Sequence, residues 1–356
     1  MKRRGSVVAG AAAVLVIATA AAGVLHLATA NGSSPRGVSA APSRAVSPPP
    51  SPAVSQPVAD DPLTIASLQA RSYPASTLVP VRSDGDRGGY VNTVVSFQSD
   101  GLREYALMSI PDGVRPAGGW PVIILSHGYV DPAAYHTDDN AYVNFISAFA
   151  RAGYVVIKPD YRGNGESQGV PEGGHLSPVY AYDVLNLVST LKADGRIDSS
   201  RIGLFGHSLG GHEVLRAMVV SKDIKAVVIL AGVVGSFYDL FYNWPRTPAS
   251  MVTPVAVQVT VEDTVIATYG TPMGDPAFWN SASAINYVGA TTAAVQVDQD
   301  VDDTVVPKVF SDHLAAALQA AGKTVEYNLY PGDDHQFSRN RAAILTSTVA
   351  FYRAHL

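Results

Sequence analysis

The sequence contains no cysteine. That absence excludes disulfides, a thiol nucleophile, zinc–thiolate sites and a lipid-modified cysteine. Charge is also scarce. Only 15% of the 356 residues are Asp, Glu, Lys or Arg, and the formal net charge is −5. No run of Lys or Arg interrupts the body, so the electrostatic footprint of a nucleic-acid binder is missing. No internal repeat is visible, which removes solenoids and arrays. What is abundant is apolar residue, at 47%. Over this length that supports one large core.

The ends of the chain differ in character. Lys2, Arg3 and Arg4 precede a stretch from Val7 to Ala30 with no Asp, Glu, Lys or Arg, closing on Ala28-Thr29-Ala30. A basic start, an apolar run and a small-x-small ending describe a signal peptide over residues 1–30. Uncleaved, the same run is long enough to act as a membrane anchor, and it would be the body's one contact with membrane. Either form sends the body out of the cytoplasm. Residues 31–60 are rich in Ser, Pro and Ala, including Ser47-Pro48-Pro49-Pro50-Ser51-Pro52. Such a segment buries too little apolar surface to offset its ordering entropy and is expected to be a disordered linker.

From residue 61 the pattern becomes that of a folded domain. Tyr90–Phe97 and Leu102–Ile110 read as strands joined through Asp100-Gly101, a hairpin turn. Short apolar strands then alternate with helices. Strands are expected over Val122–Ser126, Tyr154–Lys158, Arg201–Phe205, Ile224–Ala231, Ala294–Gln299 and Thr324–Tyr330. Helices are expected over 140–152, 178–193, 308–321 and 339–356. This alternation predicts an α/β fold, with a mostly parallel sheet covered by helices on both faces. The antiparallel hairpin that leads into it marks the α/β-hydrolase variant. Residues 232–293 break the rhythm and are dense in aromatics around Phe237–Trp244 and Phe278-Trp279. They read either as a cap over a site or as a helical excursion that completes the core.

The chemistry is concentrated at Gly206-His207-Ser208-Leu209-Gly210. Gly-x-Ser-x-Gly between a strand and a helix is a nucleophile elbow, and it makes Ser208 the candidate nucleophile. A serine hydroxyl needs a base, and the base needs an orienting group. In this fold they follow in the order Ser, acid, His. His335, in the loop after the last strand, is the candidate base. His313 sits in an apolar helix pattern, His355 at the end of the chain, and His127 before the nucleophile. The candidate acid is Asp303, four residues before Pro307, with Asp302 and Asp300 as alternatives. Asp298-x-Asp300-x-Asp302 resembles the opening of a calcium loop, but Asp303 and Val309 stand where Gly and Glu are required, so no metal is expected. The oxyanion donors are expected to be the backbone N–H of Leu209 and of Tyr129, the latter in Ser126-His127-Gly128-Tyr129. Tyr129, His207, Tyr242, Trp244 and Trp279 are candidate substrate contacts. Asp160 and Arg162 read as braces of the loop after the Tyr154–Lys158 strand.

Taken in order, Asp100-Gly101-Leu102, Ser126-His127-Gly128-Tyr129, Asp160-Tyr161-Arg162-Gly163-x-Gly165-x-Ser167, Gly206-His207-Ser208-Leu209-Gly210-Gly211, Asp303-x-x-Val306-Pro307 and Pro331-Gly332-Asp333-Asp334-His335 resemble the catalytic domain of the prolyl oligopeptidase family. The single-domain, dienelactone-hydrolase-like esterases share the pattern. The resemblance covers about residues 85–356. It implies the triad Ser208, Asp303 and His335 and no cofactor. Peptidases of that family carry a β-propeller ahead of the hydrolase domain, for which residues 31–84 are too short, and His207 is more typical of esterases. The expectation is therefore an exported serine hydrolase of carboxylic esters. A peptidase or amidase with the same triad is the alternative, and a non-catalytic binding module the remote one.

Overall fold

Asp100 and Gly101, both at positive φ, close a hairpin whose two ten-residue strands pair without a register shift. That hairpin is the antiparallel wing of a sheet otherwise built for burial on both faces. The computed structural model describes residues 61–138, 140–172, 174–245 and 255–356. The expected signal segment and linker, residues 1–60, lie outside the described residues. Among the described residues no helix is long and apolar enough to cross a membrane.

In chain order the elements are α1 (Ile65–Ala70), β1 (Val79–Asp86), β2 (Tyr90–Ser99), β3 (Leu102–Pro111), β4 (Trp120–Ser126), α2 (Val143–Arg151), β5 (Val155–Pro159), α3 (Val179–Ala193), β6 (Ile197–His207), α4 (Leu209–Val220), β7 (Ile224–Leu230), α5 (Val255–Tyr269), α6 (Pro276–Ala282), β8 (Ala294–Asp300), α7 (Lys308–Ala320), β9 (Val325–Tyr330) and α8 (Arg341–His355). A π-helical turn (Asp239–Asn243) and a 3-10 turn (Ala284–Ala290) complete the segment between β7 and β8.

The sheet runs β1-β2-β3-β5-β4-β6-β7-β8-β9. Pairings up to β3–β5 are antiparallel, and from β5–β4 onward all are parallel. This is the α/β-hydrolase arrangement. The apolar strands send alternate side chains to opposite faces. Val122 and Ile124 join the core under α3, α4 and α7, while Ile123 and Leu125 join the core under α2 and α8. Both sets are fully buried, which is why these strands read as unbroken apolar runs. The expected stripe of α3 (Val184, Leu187, Val188, Leu191) is buried too.

Two elements ahead of β2 gave no sequence signal. Strand β1 is largely exposed, contains Pro80 and breaks register twice against β2. An edge strand with so little burial has no alternation to read. Helix α1 has six residues and is fixed by a Thr64 cap that accepts from the Ser67 N–H, rather than by periodicity.

Candidate active site

Strand β6 ends at His207 and helix α4 begins at Leu209, so one residue makes the whole reversal. That residue, Ser208, has φ 54° and ψ −119°. A side-chain-bearing residue in this region is strained by ~1–3 kcal/mol. The strain is held from several sides. The Ser208 N–H donates to the Leu230 carbonyl (3.0 Å), and the Ser208 carbonyl accepts from Gly211 (3.0 Å) and Val233 (2.9 Å). Gly210 must be glycine for the elbow to sit on β4, because a Cβ there would lie 2.0 Å from the Ser126 carbonyl oxygen. Leu209 opens α4, so its amide is among those with no acceptor inside the helix, and the positive end of the helix dipole faces the same place.

The loop after β9 brings His335 against the turn after β8. His335 Nδ1 lies 2.8 Å from Asp303 Oδ2, and the Asp303 carboxylate is completely enclosed. Its other oxygen accepts from the amides of Val305 (2.7 Å) and Val306 (3.0 Å). A carboxylate fixed on both oxygens holds Nδ1 as the protonated nitrogen and leaves Nε2 as the basic one. The two alternative acids point elsewhere. Asp300 accepts from the Asp333 amide and Asp302 from the Gly332 amide, so both brace the His335 loop through its backbone. Asp298 is buried and bonded to Gln296, Asn328 and Tyr330, with burial raising its carboxyl to about 6. No group of three or more His, Asp or Glu among the described residues could hold a metal ion.

The loop after β4, expected to carry an oxyanion donor, packs onto the elbow at Gly128, where a Cβ would lie 3.1 Å from Ser208 Cβ. Tyr129, the next residue, is partly buried against the core. Behind the loop, His127 stacks on Tyr135, its centroid 4.7 Å away, and its Nδ1 bonds to the Gly128 carbonyl. Asp160 accepts from Thr137 and Tyr135, and burial still pushes its carboxyl up to about 7. Arg162 pairs with Asp183 (2.5 Å) and Asp100 (2.9 Å), so Asp160 and Arg162 serve as braces.

The expected substrate contacts divide. Trp244 lies beside the acid, its indole N–H donating to the Val305 carbonyl at 2.8 Å and its ring between His175 and Phe310. Tyr242 is on the surface, 38% exposed, against Tyr238. Two expectations need correction. Trp279 is buried in a cluster with Phe237, Phe241, Phe278 and Tyr269, and has no face for a ligand. His207 is buried with both ring nitrogens engaged, by the Tyr142 hydroxyl (2.7 Å) and the His335 carbonyl (3.0 Å). Its ring is therefore bonded within the protein on both sides. Desolvation and the neighbouring His335 lower its pKa to about 3, so it is neutral. Tyr142, which also accepts the Gly128 N–H at 2.8 Å, lies in no motif and was invisible in the sequence.

An oriented imidazole, a helix N-terminus and a strained serine are the parts of an acyl-transfer site. A model of the prolyl oligopeptidase family matches residues 140–356. An Escherichia coli protein known as an uncharacterized 31.7 kDa protein of the traX-finO intergenic region is 37% identical over 109 residues, 30% of this chain and 36% of that one. The chain spans about a third of the length of the curated relatives it matches. Among solved structures, a puromycin-hydrolyzing peptidase of Mycobacterium tuberculosis superposes with a TM-score of 0.59 at 22% identity, over 75% of this chain and 40% of its own. Acetyl xylan esterase 1 of a Thermoanaerobacterium strain gives 0.61 at 16% identity, over 80% of this chain and 90% of its own.

Proposed function

The chain belongs to the prolyl oligopeptidase family, and from that premise we propose that it is a serine hydrolase that cleaves carboxylic esters through Ser208, His335 and Asp303. The observation that carries this reading is the 2.8 Å contact between His335 and Asp303, with the His335 ring 4.9 Å from that of His207, the residue before the strained Ser208. In the proposed cycle His335 Nε2 takes the proton from the Ser208 hydroxyl as its oxygen attacks the ester carbonyl. The N–H groups of Leu209 and Tyr129 receive the oxyanion. His335 returns the proton to the departing alcohol, leaving an acyl-serine. Water then repeats the sequence and releases the acid. Asp303 keeps His335 in the required tautomer and stabilises the imidazolium. Trp244 and Tyr242 are proposed as walls for the acyl or alcohol group.

The ester preference is supported by extent. The chain spans nine-tenths of an acetyl xylan esterase but 40% of a puromycin-hydrolyzing peptidase. A second reading, an amidase or peptidase with the same triad, is supported by the match of residues 140–356 to the prolyl oligopeptidase family. Purified protein is expected to hydrolyse short p-nitrophenyl esters and to be labelled by a fluorophosphonate, with both lost in Ser208→Ala. Faster turnover of aminoacyl anilides than of esters would move the assignment to the second reading. Undiminished hydrolysis by Ser208→Ala would remove both. We further propose export, supported by the basic and apolar character of residues 1–30. Recovery of the protein from the cytoplasm alone would reject it.

A further inference from the structure

Gly128 stands where three side chains meet. A Cβ at this position would lie 3.1 Å from Ser208 Cβ, 3.2 Å from the Tyr142 hydroxyl and 3.3 Å from His207 Nδ1. The hydrogen bonds through this point form one directed chain. The Gly128 N–H donates to the Tyr142 oxygen (2.8 Å), and that hydroxyl donates to His207 Nδ1 (2.7 Å). With Nδ1 an acceptor, His207 Nε2 carries the ring's one proton and donates it to the His335 carbonyl (3.0 Å). Each group has a single role that satisfies its neighbours, so the chain has one sense and fixes one tautomer.

The backbone of Tyr142 adds an independent sign. It lies in the left-handed region, φ 63° and ψ 11°, immediately before α2. A tyrosine held there is strained, and such strain persists where the surroundings over-determine it, commonly at functional sites. The neighbouring packing is consistent. The Tyr142 ring meets His207 edge-on with centroids 5.6 Å apart, and the His207 and His335 rings are 4.9 Å apart.

We propose that Tyr142 and His207 are positioning residues that join the oxyanion loop and the base loop into one frame around Ser208. Tyr142 fixes the Gly128 peptide and so aims the next amide, that of Tyr129. His207 fixes the backbone of His335 and so the reach of its imidazole. The inference rests on the hydrolase reading above, and it assigns the elbow histidine to the frame instead of the substrate.

The test compares wild type, Tyr142→Phe, His207→Leu, His207→Gln and the Tyr142→Phe/His207→Leu pair, each titrated with a fluorophosphonate so that rates refer to active molecules. Tyr142→Phe removes one oxygen and should lower kcat per titrated site about tenfold with KM little changed, because a small misplacement of reacting groups costs rate before binding. Affinity for a phenylboronic acid, which adds to serine as a tetrahedral anion, should fall by the same factor. His207→Gln keeps a donor for the His335 carbonyl and should retain more activity than His207→Leu. The paired variant should be no slower than His207→Leu. A purely structural role would lower Tm and the titrated fraction but not kcat per site, and that result would overturn the inference. So would multiplication of the two single losses in the pair. A wild-type protein that the fluorophosphonate does not label would remove the hydrolase reading and this inference with it, whereas unchanged kcat in a labelled Tyr142→Phe removes the inference alone.

Discussion

Asp303 gives one carboxylate oxygen to His335 Nδ1 at 2.8 Å and the other to two backbone amides of its own turn. The carboxylate therefore cannot rotate away from the imidazole without breaking these bonds. Asp303→Asn keeps the size but would present an amide to Nδ1 and favour the wrong tautomer. Its kcat should fall by roughly 1,000- to 10,000-fold. Asp300 and Asp302 each accept a single backbone N–H in the facing loop, a bond that asparagine can also accept. Asp300→Asn and Asp302→Asn should therefore retain most of the activity. Steady-state ester hydrolysis by the three variants checks the ranking, and a collapse in Asp302→Asn with a mild Asp303→Asn would contradict it.

Two glycines near Ser208 should respond differently to the same added methyl. At Gly128 a Cβ meets side-chain atoms at 3.1–3.3 Å, which must yield by a few tenths of an ångström. Gly128→Ala should fold, with kcat reduced roughly 10- to 100-fold by displacement of the oxyanion loop. At Gly210 the Cβ would meet backbone, 2.0 Å from the Ser126 oxygen and 2.5 Å from its carbon. Backbone cannot turn aside, so Gly210→Ala should destabilise by ~3 kcal/mol or more. Urea unfolding beside activity separates the two. Equal stability loss in both variants would count against the distinction.

The contrast between these glycines illustrates what was legible in the sequence. The parallel strands announce themselves because both faces are buried, as Val122–Leu125 show, and the elbow because its turn allows few residue types. The expected helix and strand limits fall within a few residues of the observed ones for the same reason. What is fixed by packing in space left no trace. Tyr142 acts through a hydroxyl that reaches Gly128 and His207 across long stretches of chain, and nothing local marks it. Trp279 shows the converse. Aromatic density between β7 and β8 signals burial, but hydrophobicity alone does not separate a core from a cleft wall.

Arg162 is held between Asp183, which is wholly buried, and Asp100 in the hairpin turn. Both partners keep its proton tightly bound in spite of burial. Asp183 also accepts from the Ser99 hydroxyl and the Arg162 amide. Nearby Glu104 is pushed up to about 11 by burial and by the Asp183 charge, so it stays neutral and leaves Arg162 as the counter-charge. Removing the guanidinium strands a buried carboxylate, which costs ~3–5 kcal/mol. Arg162→Ala should therefore lose stability by about that amount in urea unfolding, while kcat per titrated site stays near the wild-type value. A normal midpoint with a lost kcat would instead place Arg162 in the reaction.

Glu213, one turn into α4, is fully buried, and neither carboxyl oxygen has a hydrogen-bond partner among the described residues. Burial raises its pKa from 4.5 to about 8, with Arg216 pulling partly the other way. The folded protein therefore keeps a proton that the unfolded chain releases once pH passes about 4.5. The stability linked to that proton is complete below about pH 4.5, declines as pH rises, and is gone above about pH 8. Within the window the slope is at most ~1.4 kcal/mol per pH unit. Glu213→Gln has no proton to lose, so its urea midpoint should fall less between about pH 5 and about pH 8 than that of the wild type. Asp160 and Asp298, raised to about 7 and about 6, contribute declines of the same sign in both proteins. The difference between the two curves therefore isolates Glu213, and parallel curves would mean that its carboxyl is ionised in the folded state.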